Sequence, residues 1–425
     1  MKRFIIIPAV LLFVSLILLI NFVWASSTMW TKTYGTGNAT AYSMVMTSDG
    51  GYALAGDGLL VKTDASGDME WNKTYLGGLI YSVVQTSDGG YALGGTAESL
   101  NGDYDFWLVK TDAQGIMLWN NTYGGPDNEA ANSPNSLVET SDGGLALAGY
   151  TSIFYEYSDF WLVKTDSKGN MLWNKTYGES IFNSCSDLIE TSDGGFALVG
   201  PTASGFVGSS DLLLVKTDST GTTEWSKTYP GSANSLIETS DKGFAMAGSV
   251  SEDFWLAKTD EYGNMEWTQT YGTTEDETAH TLIETSDGGY AIAGVAAGFF
   301  DGQYNINGWM VKTDELGNMQ WDQTYGEAGD EQIYSLVETS DGAYVLAGYK
   351  TSTYAGPGDM WLIKTDSHGN IPEFPSWIIM PLFLIATIAG IICKKRLTSK
   401  KTRAKILFRQ DSFGFCNFPC KLVNW

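Results

Sequence analysis

Seven copies of one short sequence block limit what this chain can fold into. The motif Thr-Ser-Asp-Gly-Gly, or a close variant, begins at Thr47, Thr86, Thr140, Thr191, Thr239, Thr285 and Thr339, about 49 residues per unit. A second motif, Lys-Thr-Asp, begins at Lys62, Lys110, Lys164, Lys216, Lys258, Lys312 and Lys364. Self-similarity at this period marks a repeat architecture in which each unit buries its apolar faces against its neighbours. Each unit reads as four short strands: a (Ser-Leu-Val-Glu-Thr), b (Tyr-Ala-Leu-Ala-Gly), c (Asp-Phe-Trp-Leu-Val-Lys) and d (Met-Leu-Trp-Asn-Lys-Thr-Tyr). The Asp-Gly and Asp-x-x-Gly segments between them are turn chemistry, because Asp caps nearby N–H groups and Gly supplies a positive φ. Four strands in about 49 residues is the spacing of a propeller blade.

The phase of the repeat predicts a closed ring. Strand-d tryptophans stand at Trp30, Trp71, Trp119, Trp173, Trp225, Trp267 and Trp321. The first precedes any a–c strands, and the last unit, ending at Asn370, has no strand d of its own. Trp30-Thr31-Lys32-Thr33-Tyr34 therefore completes the seventh unit, which hides the edges an open stack would expose. The expected fold is all-β, a seven-bladed β-propeller over residues 26–371 closed by its N-terminal strand. The remaining external tryptophans, Trp107, Trp161, Trp255, Trp309 and Trp361, share one strand-c column, so the twelve are read as packing between blades.

Both ends read as targeting segments. Lys2 and Arg3, an apolar run from Phe4 and a small residue at Ala25 describe a secretory signal peptide over residues 1–25. Residues 372–376 form a spacer, and the apolar stretch 377–393 is expected to be one transmembrane helix. Lys394-Lys395-Arg396 follow it, so residues 394–425 form a basic cytoplasmic tail and the propeller lies outside the cell membrane. Between these ends stand 14 basic and 48 acidic residues, a net charge of −34, which argues against nucleic-acid partners. Cys185 is the one cysteine outside the membrane and tail, so no intrachain disulfide can staple the exterior.

Units such as Asp159 to Gly178, preceded by the block from Glu139 to Tyr150, resemble the SBBP-type β-propeller repeats of bacteria and archaea. The stretch Asp166 to Trp173 is similar to the tryptophan-docking turn of quinoprotein propellers, D-x-x-G-x-x-x-W. Both resemblances imply a propeller and neither implies an activity or a cofactor. Pro372-Glu373-Phe374 before the apolar stretch is similar to archaeal PEF-type C-terminal sorting signals, although 29 residues follow Arg396 where such signals end.

Function is expected on the face carrying the b–c and d–a loops, which vary, rather than the face of repeated turns. The b–c connection has no residues at Gly56–Asp57 and twelve from Val295 to Ile306. Phe154, Tyr155 and Tyr157 in one such loop, and Phe299, Phe300 and Tyr304 in another, suit stacking on a glycan or anchoring a protein. Acids in the d–a loops, Asp127, Glu129, Asp276, Glu277, Asp330 and Glu331, are expected near the channel mouth. Such a ring could hold a divalent cation such as calcium; no other cofactor is expected. His280 begins an inner strand and is read as lining the channel. Sequons at Asn38, Asn72, Asn120 and Asn174 make glycosylation chemically feasible. No Ser/His/Asp, HExxH, P-loop or GxSxG arrangement occurs. The expected role is a cell-surface binding, adhesion or envelope-scaffold module without catalysis; the alternative is a glycosidase or lyase using two channel acids.

Overall fold

The computed structural model describes residues 29–371, apart from 36–38, 100–101, 126–127, 132, 134–135, 154–156, 179, 204–210, 273–275, 301–302, 327–328 and 352–357. The proposed signal peptide, spacer, transmembrane helix and tail lie outside the described residues, as does Asn38. All regular structure among the described residues is β.

The strands form antiparallel groups in chain order. Ser43–Met46, Tyr52–Gly56, Leu59–Thr63 and Met69–Thr74 make the first four-stranded sheet, and the second, fifth and sixth units repeat its order. The third and fourth units merge into one ten-stranded sheet through a single parallel bridge, Ser158 to Phe182. In both of these units strand a is broken into two pieces: Asn128–Ala130 and Leu137–Glu139 in the third, Phe182–Asn183 and Asp187–Glu190 in the fourth. The last sheet orders as Trp30–Tyr34, Gly358–Lys364, Tyr344–Thr351 and Glu331–Glu338, so the N-terminal strand is its outer member.

Burial explains the residue choice in each strand. Strand b, as in Tyr52–Gly56, is buried at every position because both of its faces meet neighbouring units. Strand d alternates, as in Met319–Tyr325, and ends on a buried tyrosine. Seven apolar clusters each join two consecutive units, and one of them unites Tyr34, Met44 and Leu54 with Val345 and Met360, so the first unit packs on the last.

Two polar devices repeat at these junctions. The strand-d tyrosine hydroxyl donates to the carbonyl of the c–d turn glycine in the next unit at 2.5–2.8 Å: Tyr34 to Gly67, Tyr75 to Gly115, Tyr123 to Gly169, Tyr177 to Gly221, Tyr229 to Gly263, Tyr271 to Gly317 and Tyr325 to Gly369. The strand-d tryptophan lies over the same glycine, where φ is near +75° and no Cβ would fit. The second device is a carboxylate clasp. Glu139, Glu190, Glu238, Glu284 and Glu338 accept the N–H and hydroxyl of the turn serine in the preceding unit, and Gln85 accepts the N–H of Ser48. At the junction of the last unit with the first this column holds Met46, which is 43% exposed. Met46→Glu is expected to clasp Ser340 and raise stability by about 1 kcal/mol, since a partly exposed charged hydrogen bond keeps only part of its worth. An unchanged urea midpoint would count against this reading of the junction.

The same turns are bound by lysines, which are buried in six of the seven units. The Lys-Thr-Asp lysine pairs with the turn aspartate of its own unit at 2.8–2.9 Å in six units and at 3.4 Å for Lys364–Asp341. At Asp142, partial burial opposes ionisation, but the Thr140 hydroxyl, the Lys164 ammonium and the Gly144 N–H outweigh it and hold the carboxyl at about 2. Asp49, Asp88, Asp193, Asp241 and Asp287 are held at about 2 in the same way. Their folded values lie below the ordinary 3.8, so the stability they contribute is present above pH 4 and is lost as pH falls towards 2. Thermal midpoints are therefore expected to change little from pH 6 to 4 and to fall steeply below, with Asp142→Asn showing the shallower fall.

Candidate functional site

The a–b and c–d turns share one face, and the b–c and d–a connections share the other. On the varied face, strand a begins with a bulge in four units, the register shifting at Ile80/Ser82, Ala233/Ser235, Ala279/Thr281 and Ile333/Ser335. A bulge re-aims its extra residue, and those residues are Tyr81, Asn234, His280 and Tyr334. With Tyr42 of the first unit, Tyr81, His280 and Tyr334 make an aromatic arc. Tyr81 and Tyr42 lie 5.2 Å apart, Tyr42 and Tyr334 5.4 Å, and Tyr334 stacks on His280 at 4.8 Å. His280 Nδ1–H donates to the Ile333 carbonyl at 3.0 Å, which fixes its tautomer, and burial lowers its pKa to about 4. Burial first, and then the Asp57 carboxylate, raise the Tyr42 phenol, so Tyr42 and His280 are neutral at neutral pH. Asp57 stands in a two-residue turn with φ of 49° and accepts the Thr40 N–H at 2.8 Å.

Two cavities open on this face. One, of about 330 Å³, lies at the bridged junction of the third and fourth units, and its walls include Tyr150, Tyr157, Phe182 and Pro201. The other, of about 580 Å³, is lined by Leu79, Tyr81, Glu98 and Tyr104 among others. Tyr157 and Tyr104 are half exposed, 57% and 50%. The first cavity stands on a fixed floor. Asn183 is buried; its amide donates to the Ser158 and Ser180 carbonyls at 3.0 Å and to Asp159 at 3.1 Å, and its oxygen accepts the Thr202 hydroxyl at 2.7 Å.

The residues expected from sequence distribute as follows. Tyr157 lines the first cavity; Phe154, Tyr155 and Asp127 lie outside the described residues. The connection expected to loop from Val295 to Ile306 instead extends the hairpin, with Phe299 paired to Tyr304 and Phe300 to Gln303. Alternating burial from Val295 to Gly298 carries the ladder outward where a loop was expected. Of the five described acids, Glu129, Asp330, Glu277 and Glu331 are buried, and Asp276 alone is exposed. Each glutamate sits at the head of strand a beside the glycine ending the previous strand d, facing Asp105, Asp253 or Asn307 across it. Glu129 accepts the Thr151 hydroxyl and the Gly125 N–H at 3.1 and 3.2 Å, and Lys350 approaches Glu331 at 3.8 Å. Among the described residues no three His, Cys, Asp or Glu side chains converge as a metal would require. Asn72, Asn120 and Asn174 are exposed on the outer strands, and Asn120 and Asn174 accept the Trp107 and Trp161 indole N–H at 3.3 Å. Asp322 and Thr31 do the same for Trp309 and Trp361, so the acceptor role does not require a sequon.

No family model matches the sequence, and no curated protein matches it. Among solved structures the fold is similar to the WD40 domain of Neurospora crassa Pan2, at 11% identity over 82% of this chain and 98% of that one, with a TM-score of 0.51. It is also similar to the extracellular domain of a one-component system from B. thetaiotaomicron, at 14% identity over 80% of this chain and 42% of that one, TM-score 0.46. A third is Chaetomium thermophilum Sqt1, solved bound to the N-terminus of ribosomal protein L10, at 10% identity over 78% and 98% of the chains, TM-score 0.45. At these identities the likeness to the Pan2 domain speaks for fold alone. The chain is an all-β repeat protein with a β-propeller fold.

Proposed function

We propose that the chain is a seven-bladed β-propeller, displayed outside the cell behind the signal peptide and held by the span 377–393, which binds a ligand through its varied face. The blade count is supported by seven apolar junctions and seven tyrosine–glycine bonds that return to their starting unit. The observation that carries the binding role is the gathering on one face of the aromatic arc and the two tyrosine-lined cavities, while the other face repeats one ion-paired turn. A rigid ring that collects aromatic side chains at its variable end is suited to recognition. The resemblance to SBBP-type repeats and to a PEF-type C-terminal signal accords with a surface role. Burial of Glu129, Glu277 and Glu331 disfavours the alternative, a glycosidase built on mouth carboxylates. Purified full-length chain on an array of glycans and peptides is expected to retain ligands without turning them over. Turnover abolished by Glu129→Gln would replace this reading with the enzyme, and protease shaving of intact cells that spares the propeller would refute surface display.

A further inference from the structure

We propose that the cavity at the bridged junction of the third and fourth units is a pocket for a neutral pyranose. The inference rests on the varied face being the binding face and names the ligand class of one site on it. Its volume, about 330 Å³, is at the small end of ligand sites and holds one or two sugar rings. Six of its ten lining residues carry a hydroxyl: Tyr150, Ser152, Tyr157, Ser158, Ser184 and Thr202. Its apolar walls come from the tyrosine rings, Phe182 and Pro201. Thr202 and Ser158 are already bonded to Asn183, but a leucine-like anchor from a protein partner would satisfy only the walls and leave the Ser152 and Ser184 hydroxyls without an exchange for the water they lose, which is costly. A sugar ring offers both a C–H face for the aromatic walls and hydroxyls for the polar rim.

Charge narrows the class further. None of the ten lining residues is an Asp, Glu, His, Lys or Arg. An acidic sugar would find no cation there within a body of net charge −34, and a cationic ligand would find no carboxylate among the lining residues. The floor is fixed before any ligand arrives. Asn183 has its amide hydrogens and its oxygen committed, its N–H donates to the Ser158 hydroxyl at 3.2 Å, and the bridge from Ser158 to Phe182 locks the two walls together. A pre-formed site binds without an ordering cost. This junction alone among the described ones joins two units through a strand bridge, so the pocket is a local departure from the repeat.

The test uses the full chain in detergent and the methyl glycosides of glucose, galactose, mannose and N-acetylglucosamine, with glucuronate and glucosamine as charged probes. Ligand-observed NMR and calorimetry read the binding. At least one neutral glycoside is expected to bind in preference to both charged probes. Tyr157→Ala is expected to weaken it roughly 3- to 10-fold, the worth of one stacked aromatic ring. Ala203→Trp, which fills the cavity from its rim, is expected to abolish binding, and Tyr262→Ala on the opposite face to leave it unchanged. No neutral binding, or binding that ignores both Tyr157→Ala and Ala203→Trp, overturns the proposal. A ligand lost on Tyr104→Ala alone would move the site to the second cavity, ending this inference while keeping the varied face as the binding face. A ligand insensitive to Tyr157 and Tyr104 and lost with Tyr262→Ala would end both.

Discussion

Alanine at Gly169 is expected to lower stability by about 3 kcal/mol, the sum of left-handed backbone strain and overpacking. Gly169 has a φ of +78°, and a Cβ there would stand 2.6 Å from the Trp119 ring carbons. Its carbonyl also accepts the Tyr123 hydroxyl at 2.6 Å and the Asn121 amide at 2.9 Å, so a shift of the turn breaks the link between the second and third units. Gly143 supplies the matched comparison. Its φ is also +78°, yet nothing lies within 4 Å of its Cβ position. Gly143→Ala should therefore cost only the backbone strain, roughly 1–2 kcal/mol. Equal urea midpoints for the two variants would show that the tryptophan does not dock on the turn.

The second large effect is expected at closure. Deleting residues 29–35 removes buried Tyr34 with its bond to Gly67, the Thr31 acceptor of the Trp361 indole at 2.8 Å, and Trp30, which meets Tyr52 edge-on at 6.0 Å. The loss should be about 5 kcal/mol or more, on the scale of removing a large core aromatic. The exposed salt bridge of Lys32 to Asp68 adds little to that figure. Gly358–Lys364 would become an open edge, and size-exclusion chromatography should show self-association through it. A deletion that stays monomeric with an unchanged urea midpoint would contradict the assigned role of Trp30–Tyr34.

Much of this architecture is legible from residue pattern. Two periodic motifs set four strands per unit, and the orphan strand at Trp30 with the incomplete unit at Asn370 predicts the closing pair that the register Trp30 to Lys364 supplies. Such features are local and repeated, so each copy corroborates the others. The candidate site is not repeated, and there pattern reading fails in identifiable ways. Tyr42, Tyr81 and Tyr334 occupy the column of His280, and aligning the repeats on the Thr-Ser-Asp-Gly block would have grouped them. Their meeting as an arc depends on bulges whose position no turn residue announces. Phe182, Asn183 and Pro201 line one cavity because a bridge joins two units, a contact without periodicity. The acids Glu129, Glu277 and Glu331 look solvated in sequence, being charged and near loops. They are buried because strand a starts earlier than its apolar residues suggest, which draws the glutamate at its head into the junction.

Closure of the ring by the N-terminal strand is the claim on which the binding face depends, and native-state hydrogen exchange measures it directly. The amides of residues 30–34 that bond to the last unit are predicted to exchange as slowly as those of residues 358–364, both opening only with the whole domain. Exchange of residues 30–34 on the timescale of a free terminus, with residues 358–364 protected on one side alone, would contradict it.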